Sequence, residues 1–245
     1  MTATMLTDPP RASELLISLL TAVRRPSIPA VVPVPAPVTG HEPEGPAVRL
    51  TAAHRPPVEL EQVLAHRNSF RFFSPEPLDG EVLTAALEDA VADDRHLWSA
   101  QGAGTTIVPL VAALRVRGLR PGLYRYADGG YVPLAPLTAD DVAAMVLQTE
   151  FADAPVIVAA MGSIEAALAG HADHGFRLLT TRAATTCYSV LLTAYHHGLI
   201  GSVFAGFLSS GLAAHLRIDS YHQAQLFAAA LGHPAPQSSQ PSDTA

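Results

Sequence analysis

The feature that most limits how this chain can fold is a long helical pattern from Phe176 to His197. Its residues are mostly apolar or small on every side, and Gly198 follows where a helix commonly ends. A helix without a polar face is unsuited to a solvated surface, because a large apolar area would stay in water. We therefore expect this helix at the centre of a core or in a dimer interface.

Shorter patterns on both sides of this helix predict further helices and strands. Residues 59–65 and 78–94 have helical spacing, and Thr138 is a predicted N-cap with acidic residues in the turn that follows. Because helices and strands do not alternate regularly, we predict an α+β fold. The predicted strands are residues 106–116, 154–161, 202–204 and 224–231, with a hairpin turn at residues 128–130.

The two ends of the chain differ from the rest in composition. Residues 1–55 contain a short amphipathic stretch at 11–25, followed by a proline-rich stretch at 26–47. Closely spaced prolines exclude a helix and favour an extended backbone. We expect a tether or a strap across the surface, with a docking arm for a partner as the alternative. The tail, residues 235–245, is predicted to be disordered, which leaves residues 56–234 as the folded domain.

Composition excludes several classes of function. The net charge is −7, whereas a protein that binds nucleic acid needs a basic face. Lysine is absent, so a P-loop and a lysine Schiff base are excluded. The single Cys187 excludes an internal disulfide and a multi-cysteine zinc site. The sequence shows no signal-peptide pattern and no run of about 18 apolar residues for a membrane span. We therefore expect a cytoplasmic protein without membrane association.

The segment from His66 to Phe73 carries the residues best suited to bind an anion. Arg67 and Arg71 bracket Asn68 and Ser69, with aromatic residues beside them. Guanidinium groups donate paired hydrogen bonds to phosphate oxygens, and a hydroxyl with nearby main-chain amides adds neutral donors. By itself this pattern is also typical of a solvated helix end, so the surrounding sequence must decide between the two interpretations.

Four motifs, in the same order along the chain, resemble those of the nitroreductase-like FMN proteins. Residues 66–72 resemble the family's opening Arg-Arg-Ser-x-Arg-x-Phe motif. Residues 118–126 (GLRPGLYRY) resemble the GL-x-PG-x-Y-x-Y strand pair of the branch that oxidises azolines in ribosomal peptides. Residues 198–207 are similar to the family's late glycine-rich loop, and residues 231–234 to its closing LG-x-P motif. The resemblance covers residues 56–234.

The resemblance implies a fold, a cofactor and a dimer. It implies a central, mostly antiparallel sheet flanked by helices, in a homodimer whose subunits exchange extended segments and hold FMN at their interface. Arg67, Ser69 and Arg71 would bind the phosphate and the ribityl chain, and the Gly206 amide would face flavin N5. The residues implied in cofactor binding are Arg67, Asn68, Ser69, Arg71, Ser99, Ala100, Gln101, Gly102, Ala205 and Gly206.

The chain departs from the family in places that bear on activity. Azoline dehydrogenases have a Lys-Tyr pair before the long helix, where this chain has Asp173 and His174, followed by a retained Arg177. Histidine titrates near neutral pH, so His174 is the candidate general base and Asp173 the candidate residue that orients it. The alternative is a solvated loop without a catalytic role. In addition, only histidines supply basic side chains after Arg217, although nitroreductases have basic residues there that help to hold the phosphate.

The remaining histidines and the cysteine are interpreted as residues without a metal-binding or nucleophilic role. His171 and His174 are three residues apart and His196–His197 are adjacent, but neither spacing matches a metal-binding motif, so we expect no metal. Cys187 lies in the apolar helix and is interpreted as a core residue and not as a nucleophile.

Three aromatic residues keep two interpretations each. Tyr188 and Tyr195 share a helical face, which favours packing in an interface over contact with a cofactor. Trp98 either shields the flavin ring or closes the edge of the core.

Three functions are compatible with the sequence. The first is an FMN-dependent dehydrogenase that oxidises azoline rings to azoles in a precursor peptide, with a cyclodehydratase as a possible partner. The second is an NAD(P)H-dependent nitro or flavin reductase. The third is a catalytically impaired partner subunit of a peptide-modifying complex. The GLRPGLYRY element favours the first function, because simple nitroreductases generally lack it.

Overall fold

The structure is a computed structural model, and it describes residues 43–99, 105–216 and 221–235. Several sequence predictions lie outside these residues, namely the amphipathic stretch at 11–25, most of the proline-rich stretch, and the tail beyond residue 235. Three of the implied cofactor-binding residues, Ala100, Gln101 and Gly102, also lie outside them. None of the helices in the described ranges combines the length and the hydrophobicity that a bilayer-spanning segment requires.

An antiparallel sheet of six strands forms the centre of the described structure, with the spatial order β5-β4-β2-β6-β8-β7. A separate two-stranded parallel pair, β1 and β3, lies beside it. The predicted α+β class and the mostly antiparallel sheet are therefore confirmed. The strands are β1 (Leu78–Asp79), β2 (Val108–Ala113), β3 (Val116–Arg117), β4 (Gly122–Ala127), β5 (Gly130–Pro136), β6 (Val156–Gly162), β7 (Ile200–Phe204) and β8 (Ala224–Gly232).

Helices cover both faces of the sheet. One face packs against α2 and α5 around Leu83, Leu87 and Val190, which are fully buried. The other face packs against α3, α6 and the short 3-10 turn at 149–153, where Phe151 stacks on Phe204 with ring centres 4.2 Å apart. The helices are α1 (Leu60–His66), α2 (Gly80–Leu97), α3 (Ala139–Met145), α4 (Ile164–His171), α5 (Gly175–His196) and α6 (Ser209–Leu216).

Helix α5 is the long helix that the sequence predicts, and it lies at the centre of the fold as expected. It packs against α2, α4 and strands β6, β7 and β8. It ends where Gly198 adopts a φ of +75°, a left-handed conformation that glycine tolerates better than other residues. One stripe of α5 is open to solvent in the single chain, where Phe176 is 49% and Tyr188 is 39% exposed.

Three acidic residues of α2 face three donors of α5. Asp89 accepts a hydrogen bond from Thr193 at 3.0 Å, and Asp93 accepts one from Ser189 at 2.6 Å. Asp94 is the third and pairs with Arg182. The partner numbers fall as the α2 numbers rise, so the two helices run antiparallel and are joined along their length.

Local turn and cap signals are realised at two predicted places. Asp128 and Gly129 both have positive φ values, which is the conformation of the tight hairpin turn that joins β4 to β5. Thr138 caps α3 through a capping box, in which Asp141 N–H donates to the Thr138 hydroxyl and the Asp141 carboxylate accepts from Thr138 N–H.

Main-chain pairing shifts two of the predicted boundaries. The strand predicted over residues 106–116 ends at Ala113, because the N–H groups of Leu114 and Arg115 both donate to Pro155 O and turn away from the ladder. The helix predicted from residue 78 begins at Gly80, since β1 pairs with β3 before Asp79 caps the helix. Each correction depends on a partner that is distant in the sequence.

The described part of the N-terminal segment, residues 43–55, lies against the domain. Val48 exchanges two main-chain hydrogen bonds with Tyr131 on the outer edge of β5, and Glu44 N–H donates to Pro133 O. Further along, Ala53 N–H donates to Glu81 O at the start of α2. This part of the chain therefore runs as a strap from the edge of the sheet to the helical face.

Replacing Thr138 by alanine is expected to lower the free energy of unfolding by about 1 kcal/mol at neutral pH. The Thr138 side chain and main chain donate hydrogen bonds to Asp141 and hold the pKa of that carboxyl below its usual value. A lowered folded-state pKa stabilises the protein above the unfolded-state pKa, and this stabilisation is lost as the pH falls through the folded value. As the pH falls below about 4, the stability of the variant should therefore decrease less than that of the wild type.

Denaturant unfolding at a series of pH values measures this effect. Asp140→Asn is a matched control, because Asp140 lies in the same first turn but outside the capping box. Equal pH dependence in Thr138→Ala and the wild type would contradict the prediction.

Candidate functional site

The candidate anion-binding segment is held to the fold through its main chain. Phe70 N–H donates to Gly201 O of β7 at 3.1 Å. Phe73 forms an isolated bridge with Pro234, and Ser74 N–H donates to His233 O at 2.9 Å, just beyond the end of β8. The segment between α1 and β1 is thus fixed beside the edge of the sheet, although it forms no regular element.

The side chains that could bind an anion point into solvent. Arg67, Ser69 and Arg71 are all exposed, whereas Phe70 between them is half-buried and packs against the core. The Ser69 N–H donates to the Asn68 side-chain oxygen at 2.8 Å, so that amide is used within the segment. Two guanidinium groups and one hydroxyl are therefore exposed donors within five consecutive residues. We call residues 67–71 the cationic segment.

Tyr195, near the end of α5, contacts this cationic segment. Its hydroxyl accepts a hydrogen bond from Asn68 N–H at 3.2 Å and donates to Asn68 O. Its ring lies 6.4 Å from the Phe70 ring at a tilt of 45°. Tyr195 thus packs within its own chain, and its packing in an interface stays a prediction. Tyr188, in contrast, lies on the exposed stripe.

Strand β7 is an edge of the sheet, and it leads from the cationic segment to Gly206. In an antiparallel ladder the N–H and C=O of one residue point to the same side. Since Gly201 O accepts from Phe70, Gly201 and Val203 direct their main-chain groups away from β8. Beyond the strand, Gly206 O accepts from Leu147 N–H at 2.7 Å, while Gly206 N–H has no main-chain partner among the described residues. Ala205 is exposed beside it.

Asp173 and His174 lie in a short 3-10 turn between α4 and α5. Asp173 is exposed, and the Arg177 guanidinium lies 3.0 Å from His174 Nδ1. A guanidinium can only donate, so Nδ1 accepts and the neutral ring carries its proton on Nε2. His174 and Tyr195 stand at opposite ends of α5 and are 21 residues apart, which is about 32 Å along a helix. The structure therefore does not bring the candidate base and the cationic segment together within one chain.

The other candidate residues have structural surroundings. Cys187 is 1% exposed, which confirms it as a core residue, and burial raises the pKa of its thiol to about 12. His196 Nε2 donates to Pro56 O at 2.8 Å and holds the strap to α5. Ser99 and Trp98 follow α2, and Ser99 Oγ donates to His96 O at 3.3 Å. Among the described residues no group of three potential metal ligands occurs.

A cavity of about 740 Å³, lined by both polar and apolar residues, lies between α2, α5 and the end of β4. Arg182 forms part of its wall and donates to both carboxylate oxygens of Asp94, at 2.6 and 2.7 Å, and to Thr105 Oγ1 at 3.1 Å. Tyr126 also lines the cavity, and burial raises the pKa of its hydroxyl to about 12. The sequence does contain a signal for the pair of Arg182 and Asp94, because an arginine within an apolar helix requires a buried acidic partner.

Comparisons with known proteins identify the family. The model described as the nitroreductase family matches residues 64–233. This range includes the cationic segment, all of β2 to β8 and the whole of α5. A comparison with curated protein sequences gives no significant match.

Solved structures with the same fold are similar over most of this chain. A protein of Anabaena variabilis assigned to the nitroreductases has a TM-score of 0.68 and 21% identity, and the match covers 94% of this chain and 49% of that one. The chain thus spans about half the length of that relative. A chain of the E. coli microcin synthetase McbBCD complex, solved with truncated pro-MccB17 bound, has a TM-score of 0.57 and 15% identity, with 95% and 85% coverage.

A third similar structure is a nitroreductase-type protein from Desulfovibrio desulfuricans in complex with FMN. It has a TM-score of 0.52 and 20% identity, with 76% of this chain and 92% of that one covered. At these identities the likeness concerns the fold alone. The match to the family model, together with this fold, leads to one conclusion: the chain belongs to the nitroreductase family, whose members are typically FMN-dependent oxidoreductases.

Proposed function

We propose that this protein is an FMN-dependent dehydrogenase that oxidises azoline rings to azoles in a modified precursor peptide. The observation that carries the proposal is the cationic segment, which is fixed beside the open edge of β7. A phosphate requires charge-assisted donors, which Arg67 and Arg71 offer together with the Ser69 hydroxyl. These residues would hold FMN, which would supply a hydride acceptor for the azoline ring carbon, with dioxygen as the final oxidant.

The residues at both ends of β7 fit an FMN molecule. Gly201 and Gly206 are at most about 17 Å apart along the chain, so a ligand with an anionic tail and a ring can reach from one to the other. The tail would lie against the cationic segment, and the ring would lie near Gly206. There the N–H, which has no main-chain partner in the described part of the chain, would donate to the ring edge. Ala205, Asn68 and the segment from Ser99 to Gly102 complete the proposed cofactor contacts.

This proposed arrangement requires a homodimer. The candidate base His174 is about 32 Å along α5 from Tyr195 and the cationic segment, farther than one FMN spans. His174 and Arg67 can therefore serve the same flavin only if two copies of the chain contribute to one site. The exposed stripe of α5, with Phe176 and Tyr188, is the surface that a second copy would cover.

His174 is the proposed general base. Its Nδ1 holds the lone pair that takes the proton from the azoline ring, so the Arg177 side chain must move aside before the transfer. The exposed Asp173 carboxylate lies next to it in the same turn and would stabilise the charged imidazole.

The peptide substrate is supported by two further observations. Residues 118–126, which resemble the azoline-oxidising branch, form β4 and the approach to it, and Tyr124 donates to Arg120 O at 2.7 Å across the turn. The microcin synthetase complex, whose fold is similar over nearly the whole chain, was solved with a pro-peptide bound. A precursor peptide and a cyclodehydratase partner follow as proposals for this chain.

Spectroscopy and a redox assay test the proposed function. The purified protein is expected to be yellow, with an absorbance band of bound FMN, and to oxidise an azoline-containing peptide under air. Rapid bleaching by NADH or NADPH without peptide oxidation would favour the reductase instead. A colourless protein that binds no added FMN would contradict flavin chemistry and would favour a partner-subunit role.

Replacing His174 by alanine is expected to lower kcat for azoline oxidation about 10²- to 10⁴-fold, because general base catalysis contributes about this much. FMN occupancy should stay unchanged, because His174 is proposed to take the substrate proton and is not among the residues proposed to bind the phosphate or the ribityl chain. Steady-state kinetics with flavin occupancy measured in parallel checks both statements. His171→Ala is the matched control, and an unchanged kcat in His174→Ala would exclude this residue as the base.

A further inference from the structure

The cationic segment alternates between residues that are held and residues that are open. Asn68 is held through its main chain by Tyr195, and Phe70 is held through its N–H by Gly201. Arg67, Ser69 and Arg71 stand on either side of these two points and are exposed. The direction in which the open side chains leave the fold is therefore set by two main-chain contacts.

The contact at Asn68 is unusual because one hydroxyl engages both main-chain groups of one residue. The Tyr195 oxygen accepts from Asn68 N–H, and the Tyr195 O–H donates to Asn68 O. These two groups belong to the peptide planes on either side of Asn68, which also link it to Arg67 and Ser69. Holding both planes fixes the main-chain orientation from which both side chains extend.

The surroundings keep the Tyr195 hydroxyl able to donate. Burial raises the pKa of Tyr195, although hydrogen bonds from the main chain of Asn68 and Gly201 and the charge of Arg67 act in the opposite direction. The phenol is therefore neutral at physiological pH and retains its proton. Its ring packs on Phe70, so the same side chain supports both held positions.

We propose that Tyr195 is a positioning residue for the phosphate of the flavin: it presets the cationic segment in the geometry that binds the anionic tail. The proposal rests on the proposed function and names a residue that binds no ligand atom itself. A preset segment loses less conformational freedom when the ligand arrives, and this difference appears as affinity.

The test compares FMN with riboflavin, which has the same ring and no phosphate. In Tyr195→Phe, which keeps the ring and removes the hydroxyl, the Kd for FMN is expected to rise about three- to tenfold, as for the loss of one or two neutral hydrogen bonds. The Kd for riboflavin should stay unchanged. Quenching of flavin fluorescence measures both constants, and thermal unfolding shows whether the fold is retained. Tyr188→Phe, on the exposed stripe of the same helix, is the control and should leave both constants unchanged.

Each outcome has one meaning. A selective loss of FMN affinity supports the proposal. An equal loss of affinity for both ligands would show that Tyr195 only supports the fold. If the wild type prefers FMN to riboflavin and Tyr195→Phe leaves both constants unchanged, the proposal is overturned as well. A wild type that binds neither ligand would overturn the proposed function itself, which separates that failure from a failure of the positioning role.

Discussion

Asp94→Ala is expected to lower the free energy of unfolding by about 3–5 kcal/mol, because it leaves the Arg182 guanidinium buried without its partner. The two side chains are only 9% and 7% exposed, and two hydrogen bonds join them. Among the described residues, Thr105 Oγ1 is the side-chain acceptor that would remain for Arg182. Denaturant unfolding of the variant measures the loss. An effect below about 1 kcal/mol would mean that water or another group reaches the guanidinium.

Two controls separate burial from charge. Glu76→Ala removes an exposed pair, in which Glu76 lies 3.9 Å from Arg117, and should change stability by less than about 0.5 kcal/mol. The double variant Asp94→Leu with Arg182→Met replaces the buried pair by apolar side chains and should recover most of the lost stability. Failure of the double variant to recover would show that the pair itself, and not only its imbalance, stabilises the packing of α2 on α5.

Replacing Arg67 and Arg71 together by alanine is expected to weaken FMN binding more than any other exposed change in the chain. Each charge-assisted hydrogen bond to phosphate contributes about 1.5–3 kcal/mol, so each single variant should raise the Kd for FMN roughly ten- to a hundredfold. The chain contains no lysine that could take over the contact. Equilibrium dialysis or fluorescence titration with FMN measures the change.

The arginine prediction has its own control. Arg120→Ala removes the same charge from an exposed position at the other end of the sheet, beside β4, and should leave the Kd for FMN within about twofold. Full flavin occupancy in the double Arg67 and Arg71 variant would overturn the assignment of the cationic segment. Weaker binding in Arg120→Ala as well would indicate a general effect of net charge.

Local signals were sufficient for several parts of this fold. The boundaries of α5 were predicted to within one residue, because a run of mostly apolar and small residues ends at Gly198. The hairpin at Asp128–Gly129 and the cap at Thr138 were also predicted, since each depends on the chemistry of a few neighbouring residues. In contrast, β1 was missed because two residues form a strand only when Val116 and Arg117 lie beside them.

The site shows the same division between local and distant information. The sequence singled out Arg67, Ser69 and Arg71, and the structure places all three as exposed donors near β7. It could not show that Tyr195, 127 residues away, holds Asn68 between them. Asp94 and Arg182, 88 residues apart, were likewise found only in the folded chain. Arg182 within an apolar helix indicates a buried acidic partner, but helix packing decides which acidic residue that is.

The buried position of Cys187 makes its thiol a probe for the rate at which the core of the protein opens. It is the chain's sole cysteine, it lies against Ala160 of β6, and its thiol stays protonated while the helix is docked. A thiol-reactive dye should therefore label the native protein only as fast as α5 separates from the sheet, since a reagent needs an accessible thiolate. The labelling rate, followed with or without a bound flavin, would report how strongly a ligand at the far edge of β7 slows that separation.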